Sequence, residues 1–131
     1  MVREKVRIVV YGENFYPSKI SSIIDVHFEN EINPGDIGRI GRYKGKPIPY
    51  GSASINAPNG IINPIRWILH NIKDKIQIIR NNGGDDIQLN VAYYYNAQCN
   101  CELGLDEIAL LSEMKIPFVF SVYEDEGLVD K

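Results

Sequence analysis

Apolar and polar residues alternate over residues 5–11, with Val6, Ile8 and Val10 on one side and Arg7, Val9 and Tyr11 on the other. That period of two predicts a strand, which Gly12 ends. Pro17 suits the first position of a helix, where its missing N–H has no partner to lose. Ile20, Ile23, Ile24 and His27 then recur at helical spacing to about Phe28. From residue 30 to residue 64 the pattern breaks up among six glycines and five prolines, which predicts hairpins and loops. Short edge strands fit residues 37–43 and 48–55, since proline inside a strand is confined to an edge. Residues 65–70 read as a core strand carrying the single tryptophan, Trp67.

Ile72, Ile76 and Ile79 predict a second helix, closed by Asn82-Gly83-Gly84. Alternation returns over residues 87–95 with Ile87, Leu89, Val91, Tyr93 and Tyr95 on one side. A third helix begins with Asp106 as its cap and turns Ile108, Leu111 and Met114 to the core. A last strand over residues 116–123 points Ile116, Phe118, Phe120 and Val122 inward. The elements describe one α+β domain over residues 1–124, a mostly antiparallel sheet with two or three helices packed on one face. Residues 125–131 are expected to form a solvated tail.

At 131 residues, 44% of them hydrophobic, the chain suffices for one core of ordinary size. It holds no run of about 18 apolar residues, so no membrane-spanning helix is expected. The first residues alternate charge with valine and lack the apolar stretch of a secretion signal, which makes the cytoplasm the expected location. The net charge of −3 is unevenly spread. Residues 1–80 carry twelve bases against seven acids, and residues 81–131 carry two against ten. The acids bunch at Asp85 and Asp86 and again at Glu124, Asp125 and Glu126, which predicts an acidic rim suited to a basic protein partner and unsuited to nucleic acid.

The residues that carry chemistry are few. Cys99 and Cys101 stand too close for an unstrained disulfide, and with His27 and His70 they lack the paired spacing of a zinc site, so no metal is expected. The cysteines have acidic neighbours, Glu102 and Asp106, of the wrong sign to activate a thiolate. No serine-hydrolase elbow is present, and no catalytic residue or cofactor is expected. Arg39, Arg42, Lys44 and Lys46 make a run of bases in the glycine-rich loop 35–51, an alternative anion-binding element that matches no phosphate-loop pattern. Tyr93, Tyr94 and Tyr95 alternate across a strand. Base stacking on such a sheet is known chemistry, but the more ordinary role is packing at the margin of the core.

Tyr11-Gly12 followed by Tyr16-Pro17-Ser18-Lys19-Ile20, then Lys44-Gly45-Lys46, Trp67-Ile68-Leu69 and the closing stretch from Leu105 to Tyr123 resemble the bacterial family called domain of unknown function 4279. Residues 47–64 depart from its pattern. The resemblance implies the α+β fold and transfers no catalytic residue. Some members look like immunity proteins, so it also implies a non-enzymatic protein that neutralises a toxin by covering its active surface, with a nuclease as the toxin that an acidic rim would fit. Its alternative is a small-ligand or phosphate-binding protein, or an enzyme, built on the basic loop.

Overall fold

The computed structural model describes residues 2–98 and 100–127. Strand β1 (Val2–Gly12) is the middle of a five-stranded sheet and is flanked by β3 (Gly51–Asn56) and β4 (Asp86–Tyr95), both antiparallel to it. Outside these lie β2 (Glu29–Ile32), antiparallel to β3, and β5 (Phe118–Glu124), parallel to β4. The order is β2-β3-β1-β4-β5. Four helices complete the fold: α1 (Pro17–Ile20), α2 (Pro64–Ile72), α3 (Ile76–Asn81) and α4 (Leu105–Met114). The fold is α+β, with one more helix than the pattern predicts.

The core forms where the apolar side of each strand meets the helices. Ile8 pairs with Leu89 on one side and Ile55 on the other, and Val10 with Ile87 and Ala53, so in-register apolar residues share one face of the sheet. Val6, Ile8, Val10, Leu89 and Val91 join Ile20 of α1, Ile68 and Leu69 of α2, Ile79 of α3 and Leu111 of α4 in a single buried cluster. All four helices therefore cover the same face. Gly12 and Gly51 are paired at the end of this core, and a Cβ on Gly12 would lie 1.8 Å from the carbonyl oxygen of Gly83. Only glycine lets the end of β1 approach the turn between α3 and β4 so closely.

Residues 65–70 are helical. Asn63 Oδ1 accepts from the Arg66 N–H at 3.2 Å and Pro64 occupies the first turn, so the helix has both start signals. Ile65, Ile68, Leu69 and Ile72 then fall on one buried stripe, a spacing visible only when the window runs past residue 70. Trp67 lies off that stripe, 37% exposed. In the opposite sense, the helix expected to run to Phe28 is a single turn. The Ser21 and Ser22 hydroxyls donate to the carbonyls of Ser18 and Lys19, competing with continued helix, and no side chain caps Tyr16. Ile24 and Phe28 reach the core from turns instead.

The strand expected near residues 48–55 exists as β3, paired on both sides, so it is not an edge; Pro47 and Pro49 precede it. Residues 37–43 contribute only isolated bridges, Ile37 to Pro47 and Gly38 to Lys44, around a 3₁₀ turn at Gly41–Tyr43. The cap of α4 is Gly104, with Asp106 inside the first turn. Glu107 is buried in place of Ile108, which is exposed, because its carboxylate accepts from Asn63 Nδ2. Phe120 and Val122 are 40% and 48% exposed, since β5 is an edge strand. No helix of the described residues is long and apolar enough to cross a membrane.

Candidate binding groove on the open sheet face

The alternation that buries Val6, Ile8 and Val10 sends Arg3, Lys5 and Arg7 to the face without helices. Register fills in the surroundings. Arg3 lies opposite Tyr94, Lys5 opposite Ala92 and Arg7 opposite Asn90, and these residues of β4 lie in turn beside Tyr123, Ser121 and Val119 of β5. Residues 57–61, which lead from β3 towards α2, form one wall, with Glu29 and Asn56 at its end. The result is a broad open groove of about 1290 Å³ with a cationic centre line and a polar and aromatic floor.

The cations of this line differ in their company. Arg3 makes a long ion pair with Asp125, 3.8 Å, with both side chains partly exposed, and its guanidinium lies 4.8 Å from the centre of the Tyr94 ring. An ion pair so exposed holds little energy. Lys5 and Arg7 have no carboxylate partner among the described residues. Tyr94 and Tyr123 stack with ring centres 5.2 Å apart and planes 21° from parallel, and half of Tyr123 is open to solvent. Asn90 Oδ1 is buried in the floor with no hydrogen-bond partner among the described residues. Such an acceptor normally finds a donor.

Glu4 does not neutralise the line. It lies opposite Tyr93 and interacts with the phenol on the other face of the sheet. Burial first, then Glu4 and Cys101, push the Tyr93 hydroxyl well above the ordinary tyrosine range, so it stays protonated and is no base or nucleophile. Glu29 accepts from Asn56 Nδ2 and lies 3.8 Å from His27 Nε2.

The residues singled out from the sequence scatter. Asp85 and Asp86 sit at the start of β4, whereas Glu124 is paired with Tyr95 at its far end. Nine strand steps separate them, about 30 Å, so the acids form two clusters and not one rim. Asp125 is no free tail residue, because its N–H donates to Tyr95 O at 2.7 Å beside the Arg3 pair; Glu126 follows it in a turn, and residues 128–131 lie outside the described residues. Arg39, Arg42, Lys44 and Lys46 are all exposed on the turn between Ile37 and Pro47. Arg42 lies over Tyr43, and Tyr43, Tyr50 and Tyr11 meet edge to face in series, so this basic turn abuts the Tyr11 end of β1. His27 and His70 are exposed on separate elements, Cys101 is half-buried near Tyr93, and Cys99 lies outside the described residues. Among the described residues, no three His, Cys, Asp or Glu side chains converge on a metal position.

A second hollow of about 240 Å³ lies between α2 and residues 25–29, walled by Trp67, Ile55 and Ile72 and rimmed by His27, Glu29 and Lys75. The Lys75 ammonium is already committed to the Asp25 carbonyl at 2.6 Å. The hollow is smaller than the usual range for a bound small molecule. Sequence reading missed Arg3, Lys5 and Arg7 as site residues. The signal was present in Arg3-Glu4-Lys5-Val6-Arg7, where bases recur at the strand period.

No family model, no curated protein and no solved structure matches the chain.

Proposed function

We propose that the protein is a cytoplasmic, non-enzymatic binding protein that docks an anionic partner on the open face of its sheet. The row of Arg3, Lys5 and Arg7 carries this reading. The strand beneath it is paired to β4 from Val2 to Tyr11, so the charges are held in line before any partner arrives. Positive potential focused in a groove speeds encounter with a negative surface and rejects positive ones. The overall negative charge is no obstacle, because exposed charges farther away than about 8–10 Å are largely screened at physiological salt. Covering a partner needs no reaction. A toxin-neutralising role, implied by the resemblance to domain of unknown function 4279, fits this reading only for a toxin with an anionic surface; the basic nuclease that an acidic rim would suit does not fit a cationic groove.

Capture from the native lysate tests it, using the full chain and a Lys5→Glu, Arg7→Glu variant. The wild type should retain a partner that the variant releases, and raising salt should weaken retention. A partner held equally by that variant, but lost when Asp85, Asp86, Glu124 and Asp125 are changed to lysine, would move the contact to the acids and defeat the proposal.

A further inference from the structure

Resting on the open face as the docking surface, we infer that the groove takes single-stranded nucleic acid, with phosphates along Arg3, Lys5 and Arg7 and a base stacked on the exposed ring of Tyr123, which Tyr94 backs. Residues two apart on one face of a strand stand about 6.6–6.8 Å from each other, so the three cations form a straight track of roughly 13 Å. A charged track beside exposed aromatic rings is the general design of surfaces that hold single strands without reading much sequence. The ring stack supplies the second half of that design. Arg3 over Tyr94 and Tyr94 against Tyr123 build a layered flat surface at one end of the track, with Tyr123 half exposed.

An acidic peptide would satisfy the track but offers a flat ring only where an aromatic residue falls beside its carboxylates, whereas every nucleotide carries one next to its phosphate. A duplex offers phosphates yet keeps its bases stacked inside, away from the tyrosines. The floor holds an acceptor unsatisfied among the described residues, Asn90 Oδ1 opposite Arg7; the amino group of a base splayed into the groove can pair with it once the side chain turns towards the groove. The acids nearby are engaged, Glu4 with Tyr93 across the sheet and Glu29 with Asn56. The exposed Arg3–Asp125 pair at 3.8 Å is weak enough for a phosphate to displace.

Fluorescence anisotropy with a labelled ten-nucleotide single strand tests the inference, against a duplex of equal length, heparin and poly-glutamate. The single strand should bind best, and log K should fall with log salt at a slope of about −2, as three phosphate contacts on a single strand require. Tyr94→Ala with Tyr123→Ala should weaken binding at least about tenfold and leave the slope unchanged, since stacking is not ionic. Tyr94→Phe keeps a ring and should bind like the wild type, which separates stacking from damage to the fold. Lys5→Ala should flatten the slope by about 0.7. Equal binding of heparin and oligonucleotide, indifferent to the tyrosines, would overturn the inference and leave an anion-binding face. Tighter binding of poly-glutamate would overturn it in favour of an acidic protein. If no probe binds while Lys5→Glu, Arg7→Glu still releases the lysate partner, the nucleic-acid inference is wrong and the docking face stands. If that variant releases nothing either, both fail.

Discussion

On one side of β1, Val6, Ile8 and Val10 are sealed against residues from four helices; on the other, Arg3, Lys5 and Arg7 line an open groove. The two sets belong to one strand, differ by one position of register, and share the same backbone hydrogen bonds. Their environments nevertheless assign them opposite work. Removing the apolar face from water supplies stability at roughly 25 cal/mol per Å². The charged face contributes little to folding, because solvated cations gain almost nothing from being held in place. It is thereby free to be selected for a partner. A strand that spends one face on the core can hold the other in a fixed geometry.

The largest effect expected from breaking this contrast is on the core side. Ile8 is fully buried, and Ile8→Ala should lower unfolding stability by about 2–5 kcal/mol in urea titration. A loss below about 1 kcal/mol would mean that the helices do not seal this face. Trp67 is the intermediate case, being partly exposed at the rim of the smaller hollow. Trp67→Ala should cost about 1 kcal/mol, well short of the 3–5 kcal/mol of a buried aromatic, and thermal unfolding of the two proteins measures the difference.

Tyr93 gives the contrast a pH signature. The unfolded chain releases the phenolic proton near the ordinary value of about 10, while the folded chain keeps it to higher pH. Below about pH 10 both states hold the proton and its contribution is complete; as pH rises further, the unfolded state binds fewer protons and stability falls. Unfolding free energy should therefore drop more steeply above pH 10 in the wild type than in Tyr93→Phe. Parallel curves would place Tyr93 outside the buried environment of the helix-covered face. The smallest stability effect belongs to the open face. Lys5→Ala and Arg7→Ala should each shift unfolding by no more than about 0.5 kcal/mol. Calorimetry showing a loss of 2 kcal/mol or more would make these cations structural and collapse the distinction between the faces.

Where one face of a strand is buried along its whole length, local pattern was enough. The strands β1 and β4, and the inward residues Val6, Ile8, Val10, Leu89 and Val91, follow from alternation, because every second side chain of a strand faces the helices; Val9, buried on the other side, is the exception in β1. Residues 65–70 defeated the same logic. Ile65, Trp67, Ile68 and Leu69 satisfy a short strand or a short helix equally, and the deciding facts are the Asn63 cap and the reach of the stripe to Ile72. Ile24 and Phe28 show the converse: helical spacing of apolar residues produced burial through turns, because serine hydroxyls took the backbone carbonyls that a continuing helix needs.

The sequence by itself determined the inward residues of β1 and β4, the uneven spread of charge and the α+β class, all of which depend on neighbours a few residues away. Tertiary structure alone decided which charges act together. Asp85–Asp86 and Glu124–Glu126 look like one acidic character in the chain, yet β4 holds them at opposite ends. Arg3, Lys5 and Arg7 look like an unremarked start to the chain, yet pairing sets Arg3 beside Tyr94 and Tyr123 and Arg7 beside Asn90. Coulomb energy and stacking fall off over a few ångströms, and only the register of β1, β4 and β5 fixes distances on that scale.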